Sequence, residues 1–341
     1  MHAPNLFQYE TLMTHFHHRR RLLAAGAASA AAWLLAPIAA RAADWPARAV
    51  TFLEPYGPGT NLDAITRFMA ERLGPQWKVP IVVEHKAGAN GVIGTDYVAR
   101  STPDGYTFLF TGPGHYTNEA LMNSVPFDPA RDFRPVARLA SVMLVLVVPK
   151  GSPFRSVQDL VDYARQHPGK LSYASAGSGS AQHLSAALFV SKAGINVLHV
   201  PYKTQTQALM DTIGGRVDFT FSALTTASAQ IKAGNVRALA VSGPRRSISL
   251  PDLPTVAELG FPGYEFFSFN AVFAPAGAPD EAVKTLSDGL SAIARTPEYA
   301  KLAQQQGFET DFANMDEWGA ALPAERKKWV DMIRISGAKL E

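Results

Sequence analysis

From residue 45 onward the chain alternates short apolar runs with helical stretches, and this alternation restricts its fold more than any other feature. AVTFLEPY (49–56), IVVEH (81–85), YTFLFTG (106–112) and VMLVLVVPK (142–150) read as strands. So do KLSYAS (170–175), NVLHVPY (196–202), RVDFTFS (216–222) and VRALAVSG (236–243). After the first of these, Leu62, Ile65, Met69 and Leu73 fall on one face at helical spacing. Thr60 and Asp63 have the spacing of a capping box, and Gly74-Pro75 is expected to end that helix. Further helices are expected at 156–167, 181–193, 205–213 and 223–233, and beyond about residue 280 the pattern is almost purely helical. Such alternation predicts βαβ units and mainly parallel sheets, and the Val/Ile/Leu-rich strands suit sheets covered on both faces.

At 341 residues the chain exceeds the size at which one core stops growing, so two α/β lobes are expected. VMLVLVVPK and FFSFNAVFAPAG (266–277) are the candidates for strands that cross between them. The first lobe is then discontinuous, 43–143 plus 270–341, and the second covers 144–269.

The first 42 residues read as a cleaved export signal. Arg19, Arg20 and Arg21 supply the basic start, LLAAGAASAAAWLLAPIAA (22–40) the apolar stretch, and Ala40-Arg41-Ala42 a small-x-small cleavage site. HRRRLL resembles a twin-arginine signal, and either reading implies a periplasmic protein. This segment carries the chain's charge excess. Removing its four arginines and one glutamate from 32 basic and 29 acidic residues leaves 28 of each. The remainder is neutral, which gives no case for nucleic acid as a partner. Cysteine is absent, which excludes disulfides, thiolate metal sites and cysteine nucleophiles.

Two stretches share one grammar of strand, glycine-rich loop and capped helix. EPYGPGTNLD (54–63) is the first. SYASAGSGSAQHL (172–184) is the second, with Ser180 as the expected N-cap. A helix N-terminus presents unpaired N–H groups and about half a positive charge, so it can hold an anion with no basic side chain. The second stretch misses the G-x-S-x-G elbow of a serine hydrolase by one residue and lacks the lysine of a phosphate loop. A carboxylate nest of N–H groups and hydroxyls fits it best. EHKAGANGVIG (84–94) has G-x-x-G-x-x-G spacing, lacks the tight turn of a dinucleotide fingerprint, and reads as a structural loop. TGPGHYTN (111–118) sets His115 and Tyr116 in a loop that could add donors to a cleft. His183 and His199 are expected to be packed, satisfied histidines. No histidine pair has zinc-ligand spacing, so neither a metal nor a cofactor is expected. The cluster YEFFSF (264–269) is expected in the core or hinge.

Together these stretches are similar to the substrate-binding proteins of tripartite tricarboxylate transporter systems, the Bug-type extracytoplasmic receptors. The resemblance runs through WPARAVTFLEPYGPGTNLDAITRFMAERL, VPIVVEHKAGANGVIGTDYVARSTPDGYTFLF, YASAGSGSAQHLSAALF, HVPYK and RRSISLPDLPTVAELGFPGYE. It implies a two-lobed periplasmic-binding-protein fold of the type II kind, hinged by two crossing strands. A small carboxylate, di- or tricarboxylic or aromatic, is held in the cleft and passed to membrane transporter subunits by a monomeric, non-enzymatic receptor. The site residues it implies are Tyr56, Gly59, Thr60, Asn61 and Asp63 in the first lobe. In the second they are Ser175, Gly177, Ser178, Gly179 and Ser180, and His115 takes the place of a loop histidine. Ser222 stands where an aspartate is expected, which argues against ligands bearing an ammonium group. Two other functions remain open at this level. One is a periplasmic sensor that presents its bound solute to a receptor, and the other is a serine hydrolase using Ser178 or Ser180 with His183 or His199.

Overall fold

The computed structural model describes residues 45–122 and 124–338, so the expected export signal lies outside the described residues. Strand β1 (Val50–Glu54) is followed by α1 (Asn61–Trp77), β2 (Ile81–His85), a 3-10 turn at Ala89–Gly91, α2 (Val92–Ala99), β3 (Thr107–Thr111) and α3 (Gly114–Leu121). The long β4 (Phe133–Pro149) leads into α4 (Val157–Gln166), β5 (Ser172–Ser175), α5 (Ala181–Ala193), β6 (Leu198–Pro201) and α6 (Gln205–Ile213). Then come β7 (Phe219–Ala223), α7 (Leu224–Lys232), β8 (Val236–Val241) and β9 (Phe267–Pro275). Three helices close the chain, α8 (Asp280–Ala294), α9 (Pro297–Gln306) and α10 (Met315–Ser336). No described helix is long and apolar enough to cross a membrane.

The strand order is β2-β1-β3-β9-β4-β7-β5-β6, with β8 also paired to β4. β4 belongs to two sheets. Its residues 133–143 pair with β9, and its residues 144–149 pair with β7 and β8. The βαβ units expected from the sequence supply the parallel pairs β1–β2, β1–β3, β5–β6 and β5–β7. The pairings made by β4 and β9 are all antiparallel, so each half is a mixed sheet rather than a mainly parallel one. The reason is the crossing itself: a strand that leaves one βαβ unit to enter the other arrives from the opposite end.

Period-2 alternation with both faces buried explains the apolar strands. In β1 and β3, Phe52, Phe108 and Phe110 join one core with Ile65, Met69 and Leu286, while Leu53 and Leu109 face another. That second core also takes Leu144, Leu146, Tyr173, Leu184, Phe219 and Phe221, so it runs beneath strands of both sheets. Val145 and Val147 point the other way, toward Leu209 and Leu224. The Phe52 and Phe110 rings lie 4.4 Å apart, and truncating either one to alanine costs about 3–5 kcal/mol.

Two boundaries differ from expectation. α1 does not stop at Gly74-Pro75 but runs to Trp77, where Lys78 turns left-handed and its N–H reaches the Gly74 carbonyl. The Trp77 ring packs on Trp45 at 5.2 Å, which holds this extra turn. β4 begins at Phe133, before the apolar run, because β9 supplies partners from Pro275 down to Phe267 across two bulges.

Candidate functional site

A cavity of about 280 Å3 lies where the ends of the two sheets meet. It is lined by Tyr56 after β1, Asn90 in the 3-10 turn, Pro113, Gly114 and Thr117 at the start of α3, and Gly179, Ser180, Ala181 and Leu184 at the start of α5. Ser268 of β9 and Trp329 of α10 complete the lining. None of these residues is charged. The N-termini of α3 and α5 both open on the cavity, so its positive potential comes from main-chain dipoles. Its size is at the small end of ligand pockets, suited to a compact metabolite.

Each wall has a local cause. Ser180 caps α5, accepting the His183 N–H and donating to the Gly177 carbonyl at 2.7 Å. Gly179 adopts φ +76 and donates its N–H to His183 Nδ1 at 3.0 Å. That bond requires an unprotonated Nδ1. Burial, and then the neighbouring His199, push the His183 pKa down to about 4, which keeps the acceptor available. The two rings stack at 4.0 Å, and His199 Nε2 is 2.6 Å from Ser175 Oγ. On the opposite wall Tyr56 packs against Gly91 and Gly114. A Cβ on Gly114 would stand 2.5 Å from the Tyr56 hydroxyl. Burial raises that hydroxyl's pKa, so Tyr56 stays a donor. Asn90 and Asn118 bond reciprocally, side chain to side chain at 2.7 Å and side chain to main chain at 3.0 Å.

Of the residues expected at the site, Tyr56, Gly179 and Ser180 line the cavity. Gly59 and Thr60 are exposed, Asn61 is half-buried, and none of the three borders it. Thr60 caps α1 through the Asp63 N–H, as its spacing predicts. The reciprocal bond differs, because Asp63 Oδ2 accepts from Gly59 at 2.9 Å, one residue further back than a capping box. Burial pushes the Asp63 carboxyl up, but the Gly59 N–H and the Arg67 guanidinium outweigh it and hold it below the usual carboxylate range. Asp63 therefore fastens the loop and does not face the cavity. Ser175 is fully buried and bonded to Gly177 and His199, Gly177 turns the loop at φ +105, and Ser178 is exposed. Ser222 is buried near the end of β7, outside the lining.

His115 corrects its expectation. It is 1% exposed, ringed by Tyr116, Phe127, Phe133 and Phe273, and burial lowers its pKa to about 3. It packs in the core because helix α3 begins at Gly114 and turns the side chain inward. The segment read as a loop is that helix, and its N-terminus rather than that of α1 faces α5 across the cavity. The segment 84–94 runs from the end of β2 through the 3-10 turn into α2, and it delivers Asn90 to the lining. Ser268 comes from the aromatic cluster whose Phe266 and Phe269 are fully buried. Trp329 carried no signal beyond its place in an amphipathic helix.

The serine-base geometry expected of a hydrolase does not form at Ser178 or Ser180. Ser180 is engaged by the main chain on both sides, and the serine that does meet a histidine, Ser175, has no exposed surface. Away from the cavity, behind the first loop, Glu54, Asp63 and His85 come together although no histidine pair has metal-ligand spacing.

A mixed α/β fold with a crossing strand and an uncharged pocket between opposed helix N-termini defines a two-lobed solute-binding receptor. The chain belongs to the tripartite tricarboxylate transporter family receptors, TctC, whose family pattern matches residues 65–337. BugT of Bordetella pertussis is 32% identical over 312 residues, covering 91% of this chain and 95% of BugT. The solved structure of R. palustris Rpa4515 with adipate is 36% identical with a TM-score of 0.75, over 87% of this chain and all of that one. MatC from Rhodopseudomonas palustris with bound malate is 26% identical with a TM-score of 0.70, over 85% and 100% of the two chains.

Proposed function

We propose that the protein is a periplasmic receptor that holds a small dicarboxylate in the cavity between α3 and α5 and delivers it to a tripartite transporter in the membrane. One observation carries this reading: two helix N-termini and the side-chain donors Tyr56, Asn90 and Thr117 converge on a space lined by no charged residue. Charge-assisted hydrogen bonds are worth roughly 1.5–3 kcal/mol each, and micromolar affinity requires about 8 kcal/mol. Four to six such bonds sum to about 6–18 kcal/mol, a range that spans the requirement, and buried ligand carbon helps to offset the association and desolvation costs. Trp329 and Leu184 supply an apolar wall for the carbon chain. Adipate and malate in the two solved relatives are ligands of this chemistry.

The lobes of the receptor are 43–143 with 270–341, and 144–269. They close about β4 near Met143 and about the start of β9, so that bound ligand stabilises a form the transporter recognises. The receptor is a monomer and performs no catalysis. A melting-temperature panel of mono-, di- and tricarboxylates, aromatic acids included, tests the proposal. Linear dicarboxylates should raise the melting temperature by several degrees. A panel in which no carboxylate does so defeats the reading.

A further inference from the structure

Glu54 ends β1, His85 ends β2, and the parallel register makes the two residues direct partners. His85 Nε2 lies 3.0 Å from Asp63 Oδ1 and 3.9 Å from Glu54 Oε2. One donor atom from each of the three residues falls within 4.8 Å of the others. Glu54 is 0% exposed, and among the described residues neither of its carboxylate oxygens has a hydrogen-bond partner. A carboxylate buried in that state costs several kcal/mol unless a cation or a proton neutralises it. Among the described residues no lysine or arginine is bonded to Glu54. Arg67 pairs with Asp63 Oδ1 at 2.8 Å, and the Lys86 ammonium sits 4.3 Å above the Tyr97 ring.

We propose that Glu54, Asp63 and His85 form a binding site for one divalent transition-metal ion of the zinc class. An imidazole nitrogen with two carboxylate oxygens suits zinc, whereas calcium and magnesium prefer oxygen alone. Bonds of about 2.0–2.1 Å in a tetrahedral site place neighbouring ligand atoms roughly 3.3 Å apart. The two spacings to His85, 3.0 and 3.9 Å, lie on either side of that value, and the two carboxylate oxygens lie within 4.8 Å of each other, so a modest contraction completes the set. Asp63 already pairs with Arg67, so Glu54 is the carboxylate left to offset the charge of the ion, and both of its oxygens are free to bind it.

The site is separate from the cavity but connected to it. Asp63 Oδ2 holds the Gly59 N–H, and Glu54 precedes Pro55 and Tyr56 directly. A metal here stiffens the loop that carries Tyr56.

The test is zinc titration by calorimetry, with bound metal counted, on the untagged, chelator-treated chain. Wild type is compared with Glu54→Gln and His85→Gln. The readout is the difference between proteins, because His2, His15, His17 and His18 near the N-terminus and the exposed His167 add background sites. Wild type should bind one more equivalent than each variant, or bind that equivalent about tenfold or more tighter. Circular dichroism establishes that the variants are folded. Should either fail to fold, the visible spectrum of wild type loaded with cobalt(II) replaces it, and a low-coordinate nitrogen–oxygen band is expected. Equal stoichiometry and affinity in all three proteins, or a cobalt spectrum indistinguishable from the hydrated ion, overturns the proposal and leaves a proton as the group that neutralises Glu54. The readout uses no carboxylate ligand, so it stands apart from the proposed transport function.

Discussion

Gly179, at the mouth of α5, is packed directly against Leu121, the last residue of α3: a Cβ added to Gly179 would lie 2.9 Å from Leu121 Cδ1. The same glycine sits at φ +76, a conformation other residues adopt at a cost of about 1–2 kcal/mol. Gly179→Ala meets both penalties at the point where the helices flanking the cavity touch. It should weaken carboxylate binding by tenfold or more in calorimetry and lower the melting temperature by a few degrees. Unchanged affinity would show that the α3–α5 contact does not shape the pocket.

Gly114 and Tyr56 make a second pair of this kind, and here the obstruction is a single oxygen. Gly114→Ala should destabilise by about 1–3 kcal/mol in urea unfolding. Tyr56→Phe removes the atom at 2.5 Å and leaves the Asn90 carbonyl, at 3.3 Å, as the nearest neighbour. The double variant should therefore be more stable than the sum of the singles by more than about 0.5 kcal/mol. Strict additivity would mean that Gly114 is needed for some other reason.

Ser180 is a helix cap with both bonds in use. Ser180→Ala should cost about 1 kcal/mol, roughly 2 °C in melting temperature, and weaken carboxylate binding. Neither the wild type nor the variant should hydrolyse simple esters. An esterase activity that vanishes with Ser180 would restore the hydrolase reading.

His183 predicts a pH dependence. Its pKa is lowered to about 4 in the fold and lies near ~6.5 in an unfolded chain. Between those values the unfolded state binds the extra proton. The stability that neutral His183 contributes is therefore complete above about pH 6.5 and is lost as pH falls toward 4. His183→Gln keeps an oxygen for the Gly179 N–H and removes the titration. The melting-temperature gap between wild type and variant should narrow from pH 7.5 to 4.5, and parallel curves would contradict the assignment.

Local signals were legible wherever local physics decides. α5 and α6 run from 181 to 193 and from 205 to 213, the limits their periodicity predicts, and the Ser180 and Thr60 caps form as their spacing requires. The first half of β4 was hidden because Arg134, Pro135 and Arg138 interrupt its apolar pattern, and only β9 makes it a strand. α3 was hidden because Gly-His-Tyr-Thr-Asn is a poor helix start that packing overrides. The site suffered most, since its members are brought together by topology. Trp329 reaches the cavity because α10 packs against α3 and α5, and Glu54 meets His85 through strand register. No spacing along the chain encodes either meeting.

The central claim is that a carboxylate is held by helix N-termini and hydroxyl groups without a basic side chain. Calorimetry with a linear dicarboxylate and its neutral diamide, which share one carbon chain, tests it most directly. The account predicts micromolar binding of the acid, abolished or weakened at least a hundredfold in the diamide, because only the acid carries charge for the dipoles of α3 and α5. Equal binding of acid and diamide, or binding of neither by a folded protein, would contradict it.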